Sequence, residues 1–338
     1  MRTPADHAER ALLGVLLNRP HRTDELRRWL HSGDFYSPWH AATYRALQQL
    51  TTAGGSPRPQ DVAAQIGRDG QVRLARPQDA ALLIVDILQA AGRTDLARPY
   101  GRMVLEASIH RAVHRQAIAL GQIGAMAADP GRHAELIDER VAAASDEFTG
   151  LGERWTDAAG AVRLSTCEAA LPPPVAPASH RAAPAEDRLI GALIRRPGQL
   201  DRIRGWLQPE DFRDPARRDL YRALWQMADR GTPIEPVTVM WAAHSAGLLH
   251  LSGMTAEHVL GLADAAPPGD PVVHAQDVLG DAIRAHTVRG AAGLRALARR
   301  VDLNPPALLA QSGRRLHDVA DHAARLRRSV RPLHVVAR

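Results

Sequence analysis

The chain has 338 residues, 45% of them hydrophobic and 24% charged, with a formal net charge of +6; that length suits two domains of ordinary size. All 43 basic side chains are arginine, which excludes a P-loop, whose lysine reaches the nucleotide phosphates, and excludes Schiff-base and lysine-base chemistry. The single cysteine, Cys167, leaves no internal disulfide, and no stretch approaches the roughly 20 apolar residues of a membrane span, so a soluble protein of a reducing, cytoplasmic setting is expected.

Helical periodicity starts over residues 5–18, where Ala8, Leu12, Leu13, Leu16 and Leu17 share one face. Asp6 is placed to cap this helix, with Glu9 in the capping-box position. A short helix capped by Thr23 or Asp24 carries Leu26, Trp29 and Leu30 inward, and Asp34-Phe35-Tyr36 follows as an ordered loop. Pro38 suits the first turn of a helix bearing Tyr44, Leu47 and Leu50, which Gly54-Gly55 ends. Another helix from Pro59 turns Val62 and Ile66 inward, residues 67–77 read as loop, and a helix over 78–91 offers Leu82, Val85 and Leu88 or Ile87 as its apolar face. A long helix over about 96–127, a turn at Asp129-Pro130-Gly131 and a return arm over 133–148 complete an all-α globule with a helical hairpin.

The plan then repeats. Sliding the sequence by 177 positions lays Ala8–Val62 on Ala185–Val239 without a gap, matching Gly14 to Gly191, Trp29 to Trp206, Asp34-Phe35 to Asp211-Phe212 and Pro38 to Pro215. An ungapped match of this kind identifies a duplicated domain, because the period far exceeds any solenoid unit. The second copy has its long arm over about 271–301, a turn at Asn304-Pro305-Pro306 and a return arm over 307–328. The domains are therefore read as 1–150 and 185–330, joined by a Pro/Ala-rich spacer over 151–184 and followed by a tail over 331–338. The return arms differ in charge: Glu135, Asp138, Glu139, Asp146 and Glu147 in the first, Arg314, Arg315, Arg325, Arg327 and Arg328 in the second. Opposite charge favours pairing the hairpins with each other, although exposed ion pairs alone add little energy.

Arginine pairs at 27–28, 195–196, 299–300, 314–315 and 327–328 are compatible with DNA contact, but none is interleaved with stacking aromatics. His110 and His114 have two-histidine metal spacing without the glutamate of a zinc-protease motif, and His317, Asp318, Asp321 and His322 form a similar cluster. Both are read as surface or interface groups, so no metal or cofactor is expected. Trp29, Phe35, Tyr44, Trp206, Phe212 and Tyr221 sit at core spacing.

Taken together these residues resemble the N-terminal domain of DnaB-type replicative helicases. The first copy carries the pattern in Ala8-Glu9, Gly14, Asp34-Phe35-Tyr36, Pro38 and His40; the second carries it in Ala185-Glu186, Gly191, Asp211-Phe212, Pro215 and Ile234–Val239. Departures fall at Arg213 for the usual Tyr, at Arg217 for the usual His, and at Arg58 and Asp61. The resemblance implies an all-α, non-catalytic domain that pairs through its hairpins, builds the collar of a hexameric ring and meets the primase. The expected role is a replication accessory protein of the primosome. It would bind replicative helicase or primase, associating through the hairpins within or between chains, with the return-arm charges as the interface. The alternatives are a DNA-binding accessory protein and part of a helicase whose ATPase is on another chain.

Overall fold

The computed structural model describes residues 3–68, 78–126, 129–159, 183–250 and 254–330. Among them are fourteen α-helices and no strand, the all-α, twice-repeated plan expected from the sequence. Cys167, most of the spacer and the 331–338 tail lie outside the described residues. Two compact units form, one from Met1–Gln116, Ala144–Ala170 and Arg295–Gly313, the other from Ala117–Ala143, Leu171–Leu294 and Arg314–Arg338. Each unit thus holds one globule together with the turn end of the other copy's hairpin.

In the first unit the globule comprises α1 (Pro4–Asn18), α2 (Thr23–Leu26), α3 (Pro38–Thr52), α4 (Pro59–Arg68) and α5 (Gln78–Gln89). The hairpin is α6 (Ala97–Ala125) and α7 (Pro130–Ala159). Leu12, Leu13 and Leu16 of α1 meet Tyr44 and Leu47 of α3, with Val62, Ile66 and Ile87 closing the core, all of them fully buried. The helix ends obey local chemistry. Pro38 opens α3, and Gly54 at φ 80° ends it, with Gly55 N–H donating to the Leu50 carbonyl at 3.3 Å.

Three details differ from the sequence reading. Thr3, not Asp6, caps α1, accepting the Asp6 N–H at 3.3 Å, and Glu9 is buried for another purpose. α2 grows out of a 3-10 turn over Pro20–Arg22, with no side-chain cap from Thr23 or Asp24. On α5 the buried face is Ala80, Ile84 and Ile87, while Leu82 and Val85 are 65% and 51% exposed. Packing against α1 sets that face: a Cβ on Gly14 would lie 2.6 Å from Ala91 Cα and 2.8 Å from the Ile87 carbonyl oxygen.

The second copy repeats the plan with α8 (Ala183–Arg195), α9 (Leu200–Ile203), α10 (Pro215–Asp229), α11 (Pro236–Ser245), α12 (Ala256–Ala265), α13 (Pro271–Ala298) and α14 (Pro305–Val330). Asp214 caps α10, Glu235 and Thr238 form a capping box on α11, and Gly231 at φ 66° ends the α10 turn. Gly191 does on α8 what Gly14 does on α1: a Cβ there would run into the Leu262 carbonyl oxygen and lie 2.8 Å from Ala266 Cβ. The first return arm runs to Ala159, past the boundary drawn at 150, because Leu151, Trp155 and Ala158 are buried.

Alanine is the better helix former, so propensity alone favours Gly14→Ala. Backbone sits in the way, and overpacking reverses the sign. Gly14→Ala is expected to lower stability by about 1–3 kcal/mol, read as a fall in the thermal unfolding midpoint; an unchanged or raised midpoint contradicts the close crossing.

Candidate functional site

The site begins with two buried carboxylates that fold the loop after α2. Glu9, 1% exposed, accepts the Tyr36 N–H at 2.6 Å and the Ser37 N–H at 3.4 Å, and its other contact is His40 Nδ1 at 2.7 Å. This locks the loop onto α1 just before α3 starts. Asp34, 3% exposed, turns the loop on itself by accepting the His31 N–H at 2.7 Å. Its carboxylate also receives Ser108 Oγ of α6 at 2.9 Å and the Arg154 guanidinium of α7, while Arg111 of α6 donates to its carbonyl. Arg154 Nε further donates to the Trp29 carbonyl at 2.9 Å. One acid therefore joins loop, outgoing arm and return arm, and holds Phe35 against Tyr44 with ring centroids 5.0 Å apart.

The second copy rebuilds the lock with different parts. Asp211 accepts the Gln208 N–H at 2.7 Å and a two-pronged pair from Arg325 of α14 at 2.9 and 2.8 Å. Burial pushes the Asp211 carboxyl up, against the pull of these donors. Glu186 accepts the Arg213 N–H at 2.7 Å. Where the first copy has His40, Arg217 turns its guanidinium to Asp187 at 2.7 and 2.9 Å. Burial pushes Glu186 up to about 7, more strongly than backbone N–H donors and Arg217 lower it.

Several charged residues of the return arms are committed close to home. Glu135 and Glu139 face Arg132 of their own helix at 2.9 and 3.8 Å. Arg325 is taken by Asp211, and Arg315 lies beside Gly293 of its own hairpin. Arg314 is exposed, and the Arg328 side chain lies outside the described residues. Among the described residues, Asp138 makes an ion pair to the other hairpin, with Arg327 at 2.8 Å. The hairpins also pack closely there: a Cβ on Gly124 would lie 2.9 Å from Val288 Cγ2.

Some of the paired arginines serve the fold. Arg195 and Arg196 donate to the carbonyls of Pro267 and Gly269, and Arg300 pairs with Asp302. His110 Nδ1 contacts the Ala298 carbonyl at 3.0 Å, and His317 sits 3.4 Å from Asp321 on an exposed face. Among the described residues no group of three or more His, Cys, Asp or Glu could hold a metal ion, and no helix is long and apolar enough to cross a membrane.

One open, largely apolar groove of about 560 Å³ lies in the first unit, lined among others by Pro4, Tyr36, Met103, His110 and Val301. Tyr36, Met103 and Val301 are 68%, 51% and 88% exposed, although the Tyr36 backbone is fixed by Glu9. Sequence reading took Asp34, Phe35 and Asp211 as fold markers and missed Arg154, Ser108 and Arg111, which engage Asp34. Arg154 and Arg325 are 171 positions apart, so neither the 177-residue register nor its three-residue shift aligns them.

These features define an all-α domain present twice, in which a buried acid–arginine pair ties a small globule to the return arm of a helical hairpin. A family model described as the DnaB-like helicase N terminal domain matches residues 3–106 and again 179–278. The matches cover more than half of the chain, and the chain belongs to this family, which supports a role in DNA replication. Among solved structures it is similar to the crystal structure of the N-terminal domain of DnaB helicase from Mycobacterium tuberculosis, at 22% identity and a TM-score of 0.37, covering 42% of this chain and 99% of that one. No curated protein matches the sequence.

The unlike fates of the two glutamates give a test. Glu186 binds its proton more tightly folded than unfolded, so its contribution to stability is fully present below pH ~4.5 and is lost as pH rises through about 7. Glu186→Gln removes that loss and keeps an acceptor for Arg213. The variant should gain about 2 kcal/mol on the wild type between pH 5 and pH 8 in denaturant titrations; parallel pH profiles would show that Glu186 is ionised without cost.

Proposed function

We propose that this chain is a non-catalytic accessory protein of DNA replication that engages the replicative helicase, or its primase, as a ready-made pair of collar-type domains. The observation that carries the reading is the double family match in one chain, together with units that each incorporate the turn end of the other copy's hairpin. Joining two such domains makes their pairing intramolecular and raises their effective concentration, so one chain supplies a paired collar element without a second subunit. The absence of lysine from the sequence supports a role without nucleotide hydrolysis of the P-loop type. The groove around Tyr36 and Met103 is the candidate contact surface, since a rigid backbone presents exposed apolar side chains there.

The test is a titration of the full chain against the replicative helicase, repeated with primase, at two salt concentrations. Saturable binding that survives the higher salt is expected, because apolar contacts are screened little. Tyr36→Ala should weaken binding by about tenfold, as loss of an interface aromatic does, without shifting the unfolding midpoint. Absence of binding to both proteins would overturn the proposal, and hydrolysis of ATP by a clean preparation would overturn its non-catalytic part.

A further inference from the structure

The turns of the two hairpins are capped alike. Asp129 accepts the Arg132 N–H at 3.0 Å on its side chain and the His133 N–H at 3.0 Å on its carbonyl. Asn304 does the same for Ala307 at 2.9 Å and for Leu308 at 3.0 Å. With the caps aligned, positions 175 apart correspond, and the buried residues of the return arms fall in step: Ala134 with Leu309, Ala144 with Val319, Phe148 with Ala323. His133 therefore fills the slot that Leu308 fills in the second copy. It is 1% exposed, and among the described residues neither its Nδ1 nor its Nε2 has a hydrogen-bond partner. At this point the turn end of the first hairpin packs on α13, where a Cβ on Gly280 would lie 3.0 Å from Pro130 Cγ.

A neutral imidazole can occupy such a slot, whereas protonation adds a charge and a second donor with nothing to receive either. The charges around it offer no relief. On its own helix, Arg132 faces Glu135 and Glu139, and Asp138 further along is taken by Arg327 of α14. From α13, Arg284, paired with Asp281, sets its positive charge against the ring. From α6, no titratable residue is available between Ala117 and Ala125. The start of α7 is also the positive end of its helix dipole. We propose that His133 is a proton-operated latch on the first hairpin: neutral, it seats the turn end against α13; protonated, it leaves the slot and releases that end. Burial first, then Arg284, pulls the imidazole below its ordinary value of 6.5. The folded state thus binds this proton less tightly than the unfolded chain, so the stability of the seated ring is fully present above pH ~6.5 and is lost as pH falls below it. The latch belongs to the first copy, because Leu308 cannot titrate.

The test is hydrogen exchange of the full chain, read by mass spectrometry at pH 7.5 and pH 5.5 and corrected for intrinsic rates, for the wild type and His133→Leu. A released imidazole of ordinary affinity is about 90% protonated at pH 5.5, so opening of the turn end gains up to about tenfold. Protection of the amides at the start of α7 is therefore expected to fall by about tenfold in the wild type. It is expected to stay level in His133→Leu, which carries the side chain that Leu308 places in the same slot. The His133 ring, followed by NMR in the wild type, is expected to titrate below 6.5, a readout that needs no variant to fold. Equal protection at the two pH values, the same fall in His133→Leu, or a ring that titrates at or above 6.5 would overturn the latch. These outcomes are independent of helicase and primase binding.

Discussion

Everything in each copy hangs on a buried carboxylate at the end of the loop after the second helix. Asp34 and Asp211 are almost wholly removed from solvent, where an unpaired charge is strongly destabilising. Each is compensated by its own loop N–H and by an arginine from the far arm of its hairpin, Arg154 or Arg325. Because the acid is buried, the arginine must come to it, and the return arm is thereby fixed against the globule. The aromatic pair behind the loop, Phe35 with Tyr44 or Phe212 with Tyr221, is then clamped at centroid distances of 5.0 and 4.6 Å.

The glutamate of each pattern shows how duplication loosened one constraint while keeping the other. Glu9 has a histidine partner as well as two loop N–H donors. In the second copy arginine stands at the histidine position and turns to Asp187, leaving Glu186 buried without an equivalent partner and favouring its protonated form. The outer surfaces drifted further. The first copy keeps an exposed tyrosine over an apolar groove, and the second has Arg213 at that position.

Much of the fold was legible from residues alone. Core periodicity placed Leu12, Leu16, Tyr44, Val62 and Ile66 correctly, and the prolines and glycines at 38, 54, 215 and 231 marked helix ends because their backbone preferences are local. The α5 face was not legible. Leu82 and Val85 are as apolar as the buried Ile84 and Ile87, and only contact with Gly14 decides between them. The roles of Glu9 and Asp34 were hidden for a related reason: a polar residue in a loop pattern reads as a cap or turn, whereas these two acids also act through partners 27 to 120 positions away. The charge opposition of the return arms was visible, but their individual partners were not: Glu135, Glu139 and Arg325 pair within their own copy, while Asp138 meets Arg327 of the other hairpin.

The most direct test of this account is a double-mutant cycle on Asp34 and Arg154, with Asp34→Asn, Arg154→Gln and the double variant unfolded by denaturant. If the buried pair holds the hairpin arm to the globule, each single variant is strongly destabilised and the cycle gives a coupling energy of about 2–3 kcal/mol. A coupling below about 0.5 kcal/mol, the level seen for independent sites, would contradict the claim that this ion pair organises the domain.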